Sequence, residues 1–163
     1  MAGGARFQFV VGRRCHGVSV PAWPGYDATD APDGEWCAWR LLGGNNRDLG
    51  RSAKVFPGES DCRTAVESVQ QRADELVPVI VAEAVTGMWS WRLALDGVPV
   101  AVAARPYFRQ REGHYNLGQF LAALVDADLD DLGGRGRTTR RATRRGERPA
   151  ASWSGLRTAG RPA

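Results

Sequence analysis

Cys15 and His16 are the residues of this sequence whose types could most directly support catalysis. They follow Arg13 and Arg14, so a thiol, an imidazole and two positive charges are adjacent in the chain. Such surroundings lower the pKa of a cysteine and favour its nucleophilic thiolate. A cysteine nucleophile also needs a base within hydrogen-bond reach and a third group that orients this base. Neighbouring residues in a chain seldom face each other, so His16 is poorly placed to act as the base for Cys15. We therefore expect no enzymatic activity, and a thiol enzyme centred on Cys15 stays an alternative.

Metal and cofactor sites are not expected either. The cysteines and histidines show none of the ligand spacings of zinc motifs. A zinc site would have to combine four scattered residues, namely Cys15, His16, Cys37 and His114. Cys37 and Cys62 fall on apolar faces of the expected elements, where a free cysteine packs as a small hydrophobic residue. We therefore expect reduced thiols, no metal and no cofactor.

An aromatic and basic patch is predicted on one face of the expected sheet. Trp36 and Trp39 are three residues apart on one strand, so their side chains point to opposite faces. Trp36 then shares the outer face with Arg40 and with Arg92 of a later strand. Sheet modules stack single-stranded bases on such a surface. We favour the alternative that this face is buried, either because two halves pack sheet on sheet or because it meets a partner chain, as in a homodimer.

A second polar cluster surrounds the expected start of the last helix. It contains Arg109, Arg111 and His114, followed by Tyr115 and Asn116. Free backbone N–H groups at a helix N-terminus can hold an anion. Solvated capping residues are the simpler interpretation, so the cluster stands as a hypothesis for a binding site.

The charge of the chain is divided unevenly. Residues 1–134 hold 13 Arg and Lys against 17 Asp and Glu, a net −4, whereas residues 135–163 hold nine Arg against the single Glu147. The residues from about 133 onward contain few large apolar side chains, so we expect a disordered Arg-rich tail. Such a tail attracts phosphates without reading sequence. We name as its phosphate contacts Arg140, Arg141, Arg144 and Arg145.

A shift of 52 residues superimposes the sequence on itself and predicts a duplicated unit. It places Trp39-Arg40-Leu41 on Trp91-Arg92-Leu93, the turn Gly44-Asn45 on Asp96-Gly97, and Phe56 on Phe108. In the second copy, alternation from Trp89 to Leu95 leads to a hairpin signal at Asp96-Gly97. A helix is predicted from about Gln110 because apolar residues then recur at helical spacing, at Leu117, Phe120, Leu121, Leu124 and Val125.

Each unit is thus predicted to contain three strands and a helix. In the second unit, the first strand is predicted over 79–85. The strand from Trp89 to Leu95 follows, and the third strand is predicted over 98–102. The first unit has strands that begin near Phe7 and Cys37, a third over about 48–55, and a helix over about 59–76 that Pro78 ends. An irregular insertion over 12–35 separates its first two strands. Long irregular loops are often functional.

This pattern resembles the bacterial YegP-like family, a domain of unknown function built from tandem βββα repeats. The resemblance rests on the repeated Trp-Arg-Leu strand, the turn after it, the aromatic residue before each helix, and the helical pairs Val66 with Val69 and Leu117 with Phe120. The insertion over 12–35 and the Arg-rich tail depart from the family pattern. The resemblance implies a fold and a cytoplasmic setting, but no activity, cofactor or catalytic residue.

Together these observations predict an α+β domain over 1–132, with one repeat over 5–77 and another over 78–132, and a tail over 133–163. No apolar run is long enough for a membrane span. We expect a non-catalytic cytoplasmic module that binds an unidentified partner or small ligand. The alternative is a nucleic-acid-associated protein whose tail binds phosphates weakly and without sequence preference.

Overall fold

Three strands followed by a helix occur twice along this chain, and a short strand comes after them. The computed structural model describes residues 4–14 and 34–130. The predicted tail and most of the predicted insertion, with Cys15 and His16, lie outside these residues. The strands are β1 (Arg6–Arg14), β2 (Gly34–Leu42), β3 (Asp48–Ser52), β4 (Val77–Ala82), β5 (Trp89–Leu95), β6 (Val98–Ala103) and β7 (Asp128–Leu129), and the helices are α1 (Glu59–Gln71) and α2 (Gln110–Leu124). The predicted α+β class is confirmed.

The seven strands within residues 4–14 and 34–130 belong to one mixed sheet in the order β4-β5-β6-β3-β2-β1-β7. Every neighbouring pair is antiparallel except β1 and β7, which are parallel. The two halves of the chain therefore join edge to edge through β3 and β6. This corrects one of the two explanations that we gave for a buried outer face, sheet-on-sheet packing of the halves, because pairing between β3 and β6 gives the inner edges their backbone partners. Burial of that face against a partner chain stays a prediction.

The packing between the sheet and the helices centres on three aromatic rings. Trp39 of β2 and Trp91 of β5 are fully buried, as their alternation predicted. Phe120 of α2 lies between them, with ring centroids 6.4 Å from Trp39 and 4.9 Å from Trp91. Both helices bury their apolar residues in this one core, so among the described residues they occupy the same side of the sheet.

Tyr107, not Phe108, takes in the second half the place that Phe56 takes in the first. Phe56 and Cys37 exchange both backbone hydrogen bonds, at 2.7 and 2.8 Å, and Tyr107 and Trp89 do the same at 2.7 Å each. Phe108 is 83% exposed. The predicted match between Phe56 and Phe108 is therefore wrong by one residue.

The length of one turn explains this difference. Both halves have an irregularity in strand pairing, beside Leu42 and beside Ala94. Five residues separate Leu42 from its partner Asp48, whereas four separate Ala94 from its partner Pro99. Matching residues of the two halves are therefore 52 positions apart before the turn that follows β2 and β5, and 51 positions apart after it.

Several element boundaries differ from the prediction, and β3 ends at Ser52, before the predicted residue 55. Helix α1 ends at Gln71 and a short 3-10 turn follows at Ala73–Glu75, so the helix stops before the predicted Leu76. Pro78 lies inside β4, which it tolerates because β4 is an edge strand. β4 also ends at Ala82, and the predicted residues up to 85 form a turn.

The predicted insertion is also shorter than 12–35. Residues 12–14 continue β1 and residues 34–35 begin β2, because their backbone pairing extends as far as Arg14 opposite Gly34. Neither helix in the described part of the chain is long and apolar enough to cross a bilayer.

Candidate anion-binding groove

An open groove of about 1360 Å³ lies beside helix α2. Three segments line it, one from the first half of the chain and two that follow each other in the second half. They are the loop from β2 into β3, the connection from β6 to α2, and one side of α2 itself. Its charged and aromatic lining residues are Arg47, Asp48, Arg51, Arg105, Tyr107, Arg111, Glu112 and Tyr115. The other lining residues are Leu49, the amides Asn45, Asn116 and Gln119, and small residues, among them Ala5, Gly43, Gly44, Ala104, Ala122 and Ala123.

The loop between β2 and β3 holds Arg47 at the groove. The Gly43 and Asn46 amides donate to the Arg47 and Gly43 carbonyls, each at 2.9 Å. Asn46 adopts a φ of +60°, a conformation that asparagine tolerates better than most residues. The Asn45 side chain accepts a hydrogen bond from the Arg47 amide at 3.1 Å. The backbone of Arg47 is therefore fixed, while its side chain is exposed.

Asp48 is the acidic residue at the base of this loop. Its Oδ2 accepts from Arg51 Nε at 3.1 Å and lies 4.0 Å from Arg40 Nη1. Its Oδ1 is buried without a hydrogen-bond partner in the described residues. Burial raises the pKa of the Asp48 carboxyl, although the neighbouring arginines Arg51 and Arg40 oppose this shift. The charge of Asp48 is largely balanced within the protein and does not dominate the groove.

Arg105 and Tyr107 line the groove between β6 and α2. The Tyr107 backbone is fixed by its pairing with Trp89, and the guanidinium carbon of Arg105 lies 5.0 Å from the Tyr107 ring centroid. Burial raises the pKa of the Tyr107 hydroxyl, so this group stays protonated at neutral pH. The Tyr107 ring is buried in the core, so Arg105 is the exposed group that this segment presents to the groove.

Helix α2 contributes a row of polar side chains. Arg111, Tyr115 and Gln119 are four residues apart, so they lie along one side of the helix. The helix is oriented by a hydrogen bond from Trp91 Nε1 to Asn116 Oδ1 at 2.7 Å. This bond connects the exposed row to the buried core, which gives the row a defined position.

The lining of the groove is net positive although the body of the chain is acidic. Four arginines line it against two carboxylates, those of Asp48 and Glu112. Arg47, Arg105 and Arg111 form no ion pair with any residue in the described ranges. Guanidinium groups bind phosphate and carboxylate groups through paired hydrogen bonds. The groove can therefore attract an anion.

The predicted cluster before α2 is only partly in the groove. Arg111 lines it, whereas Arg109 is the exposed N-cap residue of α2. His114 is half-buried on the helix, and its Nε2 atom is buried without a hydrogen-bond partner among the described residues. The structure thus places Arg111 with Arg47 and Arg105, which the sequence did not associate with it.

The predicted aromatic and basic patch is spread over the opposite face of the sheet. Arg40 and Arg92 lie in one row across the strands, with Val102 and Arg51 between them. Three strand spacings separate the two arginines, about 14 Å. Arg40 donates to Gln8 Oε1, and Arg92 is exposed. The patch is therefore a row of separated charges.

Trp36, the aromatic member of that patch, is buried. Its indole ring lies directly against Gly12 of β1, where an added Cβ would be 2.2 Å from the ring. A ring in this position does not offer a free surface for stacking. Exposed rings are found instead beside α2, at Phe108 and Tyr115.

Comparison with known proteins shows similarity in fold only. No protein-family model and no curated protein sequence matches the chain. A solution NMR structure of YegP from E. coli, a protein of unknown function, matches with a TM-score of 0.49 at 11% identity. The match covers 61% of this chain and 85% of that one.

A second solution NMR structure is that of UPF0339 protein SO3888 from Shewanella oneidensis. It matches with a TM-score of 0.53 at 10% identity and covers 80% of this chain and 92% of that one. At this identity the likeness concerns the arrangement of strands and helices and not the groove residues. The chain is thus similar in fold to the Shewanella protein, whose name assigns no activity.

Proposed function

We propose that this chain is a non-catalytic binding module that holds an anionic partner in the groove beside α2. The carrying observation is that Arg47 of the β2–β3 loop lines the same groove as Arg105 and Arg111, and that none of the three forms an ion pair within the described residues. Residues 1–134 have a net charge of −4, so a positive groove does not follow from the composition of this region. A local field of opposite sign guides a charged partner to one site.

We also infer that the domain is a tandem duplication, as the YegP-like family resemblance implies. Support comes from the central pairing of β3 with β6, in which Gly50 faces Ala103, Arg51 faces Val102, and Ser52 faces Ala101. At a spacing of 51 residues, Arg51 and Val102 are matching positions, so an approximate twofold axis passes between them. The groove breaks this symmetry because only the second helix carries its row of residues. A cytoplasmic setting remains part of the proposal.

The competing function is nucleic-acid association through the tail, with Arg140, Arg141, Arg144 and Arg145 as phosphate contacts. Nine arginines within residues 135–163 favour it, because each neutralised phosphate releases counterions. The two proposals differ in where the anion is held. A tail contact does not depend on folded geometry, whereas a groove contact does.

Inorganic polyphosphate is a suitable probe, since it carries negative charge and no other recognition feature. Binding of the full chain should be measured at several salt concentrations. The double variant Arg105→Ala/Arg111→Ala should lower the slope of log affinity against log salt by about two, one for each lost phosphate contact. The matched control is Lys54→Ala/Arg92→Ala, which removes the same charge outside the groove.

The results separate the possible sites. A slope change in the groove variant that the control lacks supports the proposal. Equal changes in both variants would contradict it, because only net charge would then matter. A loss confined to the variant with all four named tail arginines replaced by alanine would assign binding to the tail.

A further inference from the structure

Tyr115 is a large aromatic residue that the fold does not bury. It lines the groove, yet it is 71% exposed. Aromatic rings normally gain stability by burial, so an exposed ring inside a groove has a surface available to a ligand. The ring stands one helical turn after Arg111 and one turn before Gln119.

The order of these side chains along α2 matches the parts of a nucleotide chain. Four residues advance a helix by about 6 Å, so an arginine, an aromatic ring and an amide follow one another at regular steps. Arginine binds phosphate, an aromatic ring stacks on a base, and glutamine can hydrogen-bond to base edges. A simple anion would use only the first of these groups.

The rest of the groove lining extends the same chemistry. Arg47 and Arg105 supply further positive charge. Ala122 and Ala123 also line the groove and add little bulk beside the charged side chains. Polar amides and arginines around an exposed aromatic ring are characteristic of surfaces that bind single strands.

We propose that the groove binds single-stranded nucleic acid, with phosphates held by its arginines and a base stacked on Tyr115. This inference rests on the proposed function and specifies its ligand. A single strand is favoured over a duplex because base faces inside a duplex are already covered by neighbouring base pairs. Nothing in the groove selects a particular base, so binding is expected to be tolerant of sequence.

The experiment compares fluorescent 20-nucleotide oligothymidylate with an abasic strand of equal length, using the full chain. Tyr115→Ala should weaken binding of oligothymidylate about tenfold, the effect of losing one stacked base. It should leave the affinity for the abasic strand unchanged, because that strand has phosphates but no bases. Tyr115→Phe keeps the ring and should retain the affinity of the unchanged protein.

Phe108→Ala is the matched control, since Phe108 is also an exposed ring but does not line the groove. It should bind oligothymidylate as the unchanged protein does. The inference is overturned if Tyr115→Ala has no effect on oligothymidylate, if it weakens the abasic strand equally, or if Phe108→Ala causes the same loss. A duplex that binds as well as the single strand would also overturn it.

Two further results keep this inference distinct from the proposed function. If Arg105→Ala/Arg111→Ala lowers the salt slope for polyphosphate while Tyr115→Ala leaves oligothymidylate unaffected, the groove binds anions and the assignment to nucleic acid is wrong. If neither variant has an effect, both proposals fail. Oligouridylate and oligodeoxyuridylate of equal length differ only in the 2′-hydroxyl, so the tighter binder of the two identifies whether the strand is RNA or DNA.

Discussion

Gly50 of β3 lies directly against the ring of Phe120. A Cβ atom at position 50 would be 2.7 Å from the Phe120 ring and 2.7 Å from the Trp91 ring. Both rings are fully buried, so neither can move without disturbing the core. Gly50→Ala should therefore lower the free energy of unfolding by about 1–3 kcal/mol, the usual cost of overpacking. Urea unfolding of the two proteins measures this difference.

Gly118→Ala is the control for the loss of a glycine. Gly118 lies within α2, and an added Cβ there would meet no atom within 4 Å. The substitution should stabilise the protein by about 0.5–1 kcal/mol, since alanine favours helix over glycine. Equal effects of the two substitutions would show that the contact between Gly50 and Phe120 is not tight.

The two core tryptophans should contribute similarly to stability. Trp39 and Trp91 are both fully buried against Phe120. Replacing either with alanine should cost about 3–5 kcal/mol in the free energy of unfolding. Phe108→Ala removes an exposed ring instead and should stay within about 0.5 kcal/mol. A loss below about 1 kcal/mol at Trp39 or Trp91 would contradict their place in the core.

Much of this core was predictable because its signals are local. The alternation around Trp39 and Trp91 predicted which face is buried, and Asp96-Gly97 predicted a hairpin that the structure forms with φ values of +52° and +78°. The union of the halves through β3 and β6 was not predictable in this way. The whole fold decides which sheet edges pair with each other. The local pattern of apolar and polar residues does not indicate this pairing.

The groove was predicted only in part for the same reason. Arg111 was identified because it stands at a helix start. Arg47 and Arg105 belong to connections without periodic pattern, and only the folded chain brings them near α2. Tyr115 was noted as a polar neighbour, but its exposure depends on how α2 packs. For Trp36, the alternation of side chains along β2 predicted the correct face of the sheet. Its contact with Gly12 is a tertiary contact, which this alternation does not predict.

The two described cysteines should be unreactive in the folded protein. Cys37 and Cys62 are fully buried, and the hydrogen bond to Cys37 together with burial raises the pKa of the Cys62 thiol. In a Cys15→Ala variant, a disulfide reagent such as DTNB at pH 7.5 should find no fast-reacting thiol under native conditions and two after unfolding in urea. A native thiol that reacts within minutes would show that the contact between β2 and α1 opens readily.

Asp48 should give the stability of the protein a distinctive pH dependence. Its folded-state pKa is raised by burial above the ordinary value of 3.8, so its ionisation is less favourable in the folded protein than in the unfolded chain. Its contribution is therefore fully present below pH 3.8 and is lost as pH rises through the raised pKa. Asp48→Asn lacks this loss, so its free energy of unfolding relative to that of the unchanged protein should rise as the pH increases above 3.8, as measured by urea unfolding. A relative fall as the pH increases would mean that the arginines lower the pKa of Asp48.

The most direct test of the groove is to map where an anion binds. Amide chemical shifts of the full-length, isotope-labelled protein should be followed while inorganic polyphosphate is added. We expect the largest changes at residues 43–51 and 104–119, with saturation at one common affinity. Changes confined to residues 131–163, or centred on Arg40 and Arg92 across the sheet, would contradict the proposal of an anion-binding groove.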